Sequence, residues 1–159
     1  MNTLKIAIIL IAVGMIGLLV LSYNTSTYSS SYYTQPVSGF KSNGERIYFT
    51  ATSDSGEPII SSIGTMAMRG MMSCAACHGA DGKGGQGRMM MWTFDAPDIR
   101  YYALTAGGGN ETPYTDELIK RAITKGVDAD GKRLEPPMPV WQVSDSDLND
   151  LIDYLKTLK

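Results

Sequence analysis

The chain contains two cysteines and a single histidine, and they stand together as Cys74-Ala75-Ala76-Cys77-His78. Few chemistries use such a cluster. A structural zinc site needs about four nitrogen, sulfur or oxygen donors, and no further Cys or His exists to complete one. A thioredoxin-like redox pair belongs in a strand–helix context, whereas this pair runs into a Gly-rich stretch. A plain disulfide leaves His78 without a role. The pattern C-x-x-C-H is also the attachment signature of c-type haem. There the two thiols add across two vinyl groups, and the short intervening pair lets both sulfurs face one porphyrin edge. The following imidazole then reaches the iron. Cys74 and Cys77 are therefore expected to hold one covalent haem c, with His78 as an axial ligand.

A second axial histidine is impossible within one chain that has only His78. Methionine is the natural donor, and Met/His ligation raises the reduction potential. Among ten methionines, Met138 is distinguished by its neighbours Pro137 and Pro139, which fix φ and stiffen the loop around it. Met89, Met90 and Met91 are the competing donors. They follow His78 closely and have no such frame.

Three segments together resemble the class I, single-haem cytochrome c family: Cys74-Ala75-Ala76-Cys77-His78-Gly79, then Pro136-Pro137-Met138-Pro139-Val140-Trp141, then the closing Leu151-Ile152-Asp153-Tyr154-Leu155-Lys156. The resemblance runs from about Gly44 to Leu158. It implies an all-α fold, three or four short helices wrapped round one covalently bound haem with long Gly-rich loops. It implies Met138 as the iron's other ligand, since the family places that residue just before its last helix. In Ala96-Pro97-Asp98-Ile99, Pro97 is similar to the family's proline whose carbonyl accepts a hydrogen bond from the axial imidazole. The alternative is an ordinary loop proline. The activity implied is passage of single electrons between redox proteins, with no small-molecule substrate. No catalytic constellation competes, because a His committed to iron cannot activate a Ser or Cys nucleophile.

Local patterns support the helices. Ser144 with Asp147 three residues later forms a capping pattern, and Leu148, Leu151, Ile152, Leu155 and Leu158 then recur at helical spacing. Another helix is expected from Thr115 to Lys125, burying Leu118, Ile119, Ala122 and Ile123 and ending at Gly126. Gly44–Ala51 resembles the family's first helix, with Gly44 allowing close crossing over the last helix near Tyr154. The family usually joins its first helix almost directly to the attachment motif, and here a long segment intervenes. Either a loop is inserted after Tyr48, or Met66–Ser73 adds a second helical piece.

Two glycine patterns mislead. Gly82-Lys83-Gly84-Gly85-Gln86-Gly87 matches G-x-G-x-x-G, but that pattern binds dinucleotides only after a strand and at a helix start; it reads as loop here. Thr105–Asn110 reads as a flexible loop. Met66, Met68, Met71, Met72, Met89, Met90 and Met91 flank the attachment motif on both sides. They suit pocket lining, soft-metal binding or a docking surface around the haem edge.

The first forty residues are not globular in character. Residues 1–5 carry one lysine, residues 6–23 form an apolar segment, and residues 24–40 are rich in Ser, Thr and Tyr. At ~1.5 Å per residue, Ile6–Leu21 spans roughly 24 Å, near the thickness of a bilayer core. It is expected to be a transmembrane anchor, with a cleaved signal peptide as the alternative. Lys5 precedes the run and no further basic residue occurs before Lys41, which places the following domain outside. The polar segment lacks the apolar residues to fold alone and is expected to tether residues 41–159. The net charge of −2 and the lack of a basic stripe argue against nucleic acid. The expected protein is a membrane-tethered electron carrier on the periplasmic side of the cytoplasmic membrane. The alternatives are a fixed haem subunit of a respiratory complex and a haem-based sensor.

Overall fold

A computed structural model describes residues 39–63, 72–89, 92–107 and 109–159, all within one compact unit, Gln35–Lys159. The expected anchor and most of the expected tether lie outside the described residues. No helix among the described residues is long and apolar enough to cross a membrane.

The first helix, α1, runs Asn43–Thr50, capped by Ser42, whose hydroxyl accepts from the Glu45 N–H. It ends at Ala51 in the left-handed conformation. The last, α5, runs Asp145–Thr157, and the Ser144 hydroxyl accepts from the Asp147 N–H as the capping pattern predicts. These two helices make the central crossing of the fold. Gly44 permits it: a Cβ there would lie 1.9 Å from the Asp150 carbonyl oxygen and 2.9 Å from the Tyr154 Cβ. Ile47 and Tyr48 from α1 and Leu151, Ile152 and Leu155 from α5 are buried together in the main core. The Tyr48 ring is wholly enclosed, and its hydroxyl donates to the Gly79 carbonyl at 2.7 Å. That bond ties the crossing to the residue following His78.

Three further helices complete the helical set. The attachment motif itself forms α2, Cys74–His78. A short α3 spans Tyr101–Thr105. The expected helix after Thr115 is α4, Asp116–Lys125, with Thr115 as its cap and Gly126 left-handed at its end. Of its expected core residues, Ile119 is fully buried, while Leu118, Ala122 and Ile123 are half-buried.

The all-α expectation needs correction, because two antiparallel ladders accompany the helices. The strands β2 (Gly85–Met89) and β3 (Trp92–Ala96) form a hairpin. Along β3, Phe94 and Ala96 alternate with Thr93 and Asp95, the period of a strand. Ala96 is buried, and Thr93 and Asp95 are exposed. The glycines read as loop supply the partner strand, because Phe94 lies across Gly87: a Cβ on Gly87 would fall 2.3 Å from the ring. The second ladder pairs β1 (Ile60–Ser61) with β4 (Trp141–Gln142). Thr105 finishes α3 and Ala106 and Gly107 turn after it, with the Gly107 N–H bonded to the Leu104 carbonyl at 3.0 Å.

After α1 the chain forms the inserted loop. It folds back on itself, with the Ser53 N–H bonded to the Glu57 carbonyl at 3.0 Å and the Ile59 N–H to the Ala51 carbonyl at 2.8 Å. It then enters β1. Of the possible helical piece Met66–Ser73, only Met72 and Ser73 are described; neither is helical, and Ser73 caps α2.

Candidate functional site

The one-turn helix α2 explains the spacing of the motif. Residues at i, i+3 and i+4 share one helical face, so Cys74, Cys77 and His78 point the same way. The Ser73 hydroxyl accepts from the Ala76 N–H and starts the turn, and Gly79, at φ 76°, lets the chain leave it at once.

All three side chains border one cavity of about 580 Å³, within the range of roughly 300–1,000 Å³ usual for ligand and cofactor sites. Its walls come from several elements: Ala96 at the end of β3 and the adjoining Pro97, Leu104 from α3, Ile119 and Ile123 from α4, Leu151 and Leu155 from α5. Tyr114, Trp141 and Met138 complete them. The lining is mostly apolar, suited to a large flat hydrophobic group, and among its donors are two cysteine sulfurs, an imidazole and two thioethers.

His78 is only 6 % exposed. Burial pushes its pKa below the ordinary histidine value, while the bond to Pro97 works in the opposite direction. Its Nδ1 lies 3.0 Å from the Pro97 carbonyl oxygen. A carbonyl only accepts, so Nδ1 carries the hydrogen and Nε2 keeps its lone pair, the arrangement of a metal-ligating imidazole. Pro97 is itself held by its surroundings. The Gly84 N–H bonds to the His78 carbonyl at 2.9 Å, and the Ile99 N–H bonds to the Gly82 carbonyl at 2.8 Å. Gly84 must be glycine, since a Cβ would sit 2.0 Å from the Ala96 carbonyl oxygen.

The reactivity of a redox thiol pair depends on a lowered pKa, and here the shift runs the other way. Burial pushes Cys74 up to about 12, and it also raises Cys77. Among the described residues no group of three or more His, Cys, Asp and Glu could hold a metal ion. The cavity, the thiol pair and the oriented imidazole fit a covalently attached haem.

The family model for cytochrome c matches residues 65–159. The chain belongs to the cytochrome c family. This cytochrome therefore carries covalent haem c and its activity is haem-based electron transfer. No curated protein and no solved structure matches it.

The preferred site residues of this cytochrome, Cys74, Cys77, His78, Pro97 and Met138, all lie along this cavity. Of the competing methionines, Met89 ends β2, and Met90 and Met91 lie outside the described residues, as do Met66, Met68 and Met71. Met72 is buried and borders the cavity, which bears on the pocket-lining reading of the Met-rich flanks. Sequence reasoning missed the hairpin wall. The alternation Trp92-x-Phe94-x-Ala96 was the available signal.

Asp98, next to Pro97, is anchored by Arg100, whose Nε donates to its carboxyl oxygens at 2.9 and 3.0 Å. These side-chain bonds, more than any other influence, hold the Asp98 carboxyl below its usual range. A carboxylate whose folded pKa is depressed contributes stability that is present above its unfolded pKa, about 3.9. That stability is lost as pH falls through the folded value. Acid titration followed by the haem absorption bands should thus show Asp98→Asn unfolding with a flatter pH dependence below about pH 4. A profile identical to that of the unsubstituted protein would remove Asp98 from the acid response.

Proposed function

We propose that this cytochrome is a membrane-tethered, single-haem electron carrier on the outer face of a cytoplasmic membrane. In this reading Cys74 and Cys77 hold the porphyrin through thioether bonds, and His78 and Met138 ligate the iron. Haem, when bound, supplies the one-electron ferric–ferrous couple. The chain's own residues set its conditions. Pro97 keeps the imidazole oriented and neutral at Nε2, and the apolar wall excludes water. The Met138 thioether favours the ferrous state and raises the potential. Met138 is preferred over Met72 because it belongs to a proline-framed loop remote in sequence from the attachment helix. Met72 stands two residues before Cys74, on the attachment helix's own side.

The tether and its orientation rest on the apolar run Ile6–Leu21, the absence of basic residues between Lys5 and Lys41, and the polar segment 24–40. A flexible segment of that length spans on the order of 20–25 Å, room for the haem domain to swing between donor and acceptor proteins.

The observation that carries the site assignment is the common face of α2, where Cys74, Cys77 and His78 border the same cavity as Met138. The test is haem retention. After acid–acetone extraction and denaturing electrophoresis the membrane fraction should hold a haem-staining band at the mass of this chain, and Cys77→Ala should weaken or abolish it. Haem that extracts freely from the unsubstituted protein would overturn the assignment of both cysteines.

A further inference from the structure

The segment inserted between α1 and the attachment motif makes one set of contacts that bears directly on the Met138 loop. Strand β1 pairs with β4 in the register Ile60 with Gln142 and Ser61 with Trp141. The pairing extends one residue further: the Ser62 N–H donates to the Val140 carbonyl at 2.7 Å, and the Ser62 hydroxyl accepts from the Val140 N–H at 2.9 Å. The ladder thus ends two residues from Met138. A second apolar cluster adjoins it, joined to the main core through Ile59 and Ile123. Ala51, Trp141 and Met72 are its buried members, and Ile59, Ile63, Met138 and Val143 pack against them. The insert supplies one side of this cluster and the Met138 loop supplies another. The insert is fixed at its own base by the Ile59–Ala51 bond, and Ala51 caps the helix that crosses α5.

We propose that the inserted segment 52–63 is a clamp on the Met138 loop that sets how readily the thioether leaves the iron. The proposal rests on the reading of Met138 as ligand. A ligand held on a loop dissociates as the loop opens, and an external ligand binds in proportion to the open population. By tying the loop to α1 through β1, and by packing Ile59 and Ile63 on the same Trp141-centred cluster that Met138 packs on, the clamp lowers that population. It thereby keeps the site an electron-transfer centre closed to exogenous ligands. Ser62 and Ile63 are positioning residues in this scheme, acting on the iron only through Met138.

The test measures cyanide binding to the ferric, haem-loaded full chain. Ser62→Ala removes the acceptor for the Val140 N–H and should raise cyanide affinity roughly two- to twelvefold, the factor carried by one hydrogen bond of ordinary strength. Ser62→Thr keeps the hydroxyl and should restore the original affinity. Ile63→Ala, which thins the apolar side of the clamp, should act in the same direction as Ser62→Ala. Ser144→Ala removes the cap of α5 and should lower the unfolding temperature while leaving cyanide affinity unchanged. Equal affinity in Ser62→Ala, Ile63→Ala and the unsubstituted protein would overturn the clamp. So would a Ser144→Ala variant that binds cyanide as tightly as Ser62→Ala, since global loosening would then suffice. Failure of the ligand reading is separately visible, because Met138→Leu would then retain its far-red sulfur-to-iron band.

Discussion

Met138→Leu is expected to erase the weak far-red band of the ferric protein, admit carbon monoxide to the ferrous protein and lower the reduction potential. The substitution keeps volume and apolar character, and apart from the lost iron bond such exchanges cost less than about 1.5 kcal/mol. Spectral loss can therefore be separated from unfolding. The thioether's neighbours offer no substitute donor of comparable strength: Pro137 and Pro139 have none, and Trp141 and Val143 pack as apolar groups. Met72→Leu, Met89→Ala, Met90→Ala and Met91→Ala should each keep the band and exclude carbon monoxide. If one of these four loses the band while Met138→Leu retains it, the sixth ligand is the other methionine. The same measurement addresses the sensor alternative, for a site that exchanges its sixth ligand readily would bind carbon monoxide without any substitution.

Gly44→Ala should be strongly destabilising for a change of a single methyl group. The added Cβ would meet main chain, 1.9 Å from the Asp150 carbonyl oxygen and 2.5 Å from its carbon, so no side-chain rotation relieves the clash. The helices α1 and α5 would have to separate, and Ile47, Tyr48, Leu151 and Ile152, all buried at their crossing, would lose contact together. Overpacking of a core typically costs 1–3 kcal/mol. An obstacle made of backbone places this case at about 3 kcal/mol or more, a fall of at least roughly 10 °C in unfolding midpoint for a domain of this size. Separation would also break the Tyr48 hydroxyl's bond to the Gly79 carbonyl, so haem incorporation should drop along with stability. A Gly44→Ala protein with unchanged midpoint and full haem content would mean that the helices cross less closely.

The expected and observed structures agree most where local chemistry decides. Ser144 and Thr115 each cap a helix because a hydroxyl can accept from an N–H three residues on, whatever surrounds it. Gly126 ends α4 because the left-handed conformation is open to glycine at no steric cost. Gly44's crossing near Tyr154 followed from resemblance and is realised at atomic contact. The attachment motif was legible for the same reason: its spacing is a property of one helical turn.

The Gly82–Gly87 stretch and the region after Tyr48 were not legible in that way. Glycines carry no period, so the strand Gly85–Met89 could be recognised only through its partner, where Phe94 covers Gly87. Strands β1 and β4 are two residues each, too short to mark themselves, and they exist because segments eighty residues apart in sequence, on the order of a domain's length, come together beside Met138. Sequence by itself pointed to the attachment motif and the helix caps, because each depends on neighbours within a turn or two, and to the family through three such local segments read together. Only the tertiary structure decided how the inserted segment is used. Burying its apolar side chains against the cluster of Ala51, Met72 and Trp141 is a choice among long-range contacts, and no local pattern encodes which one wins.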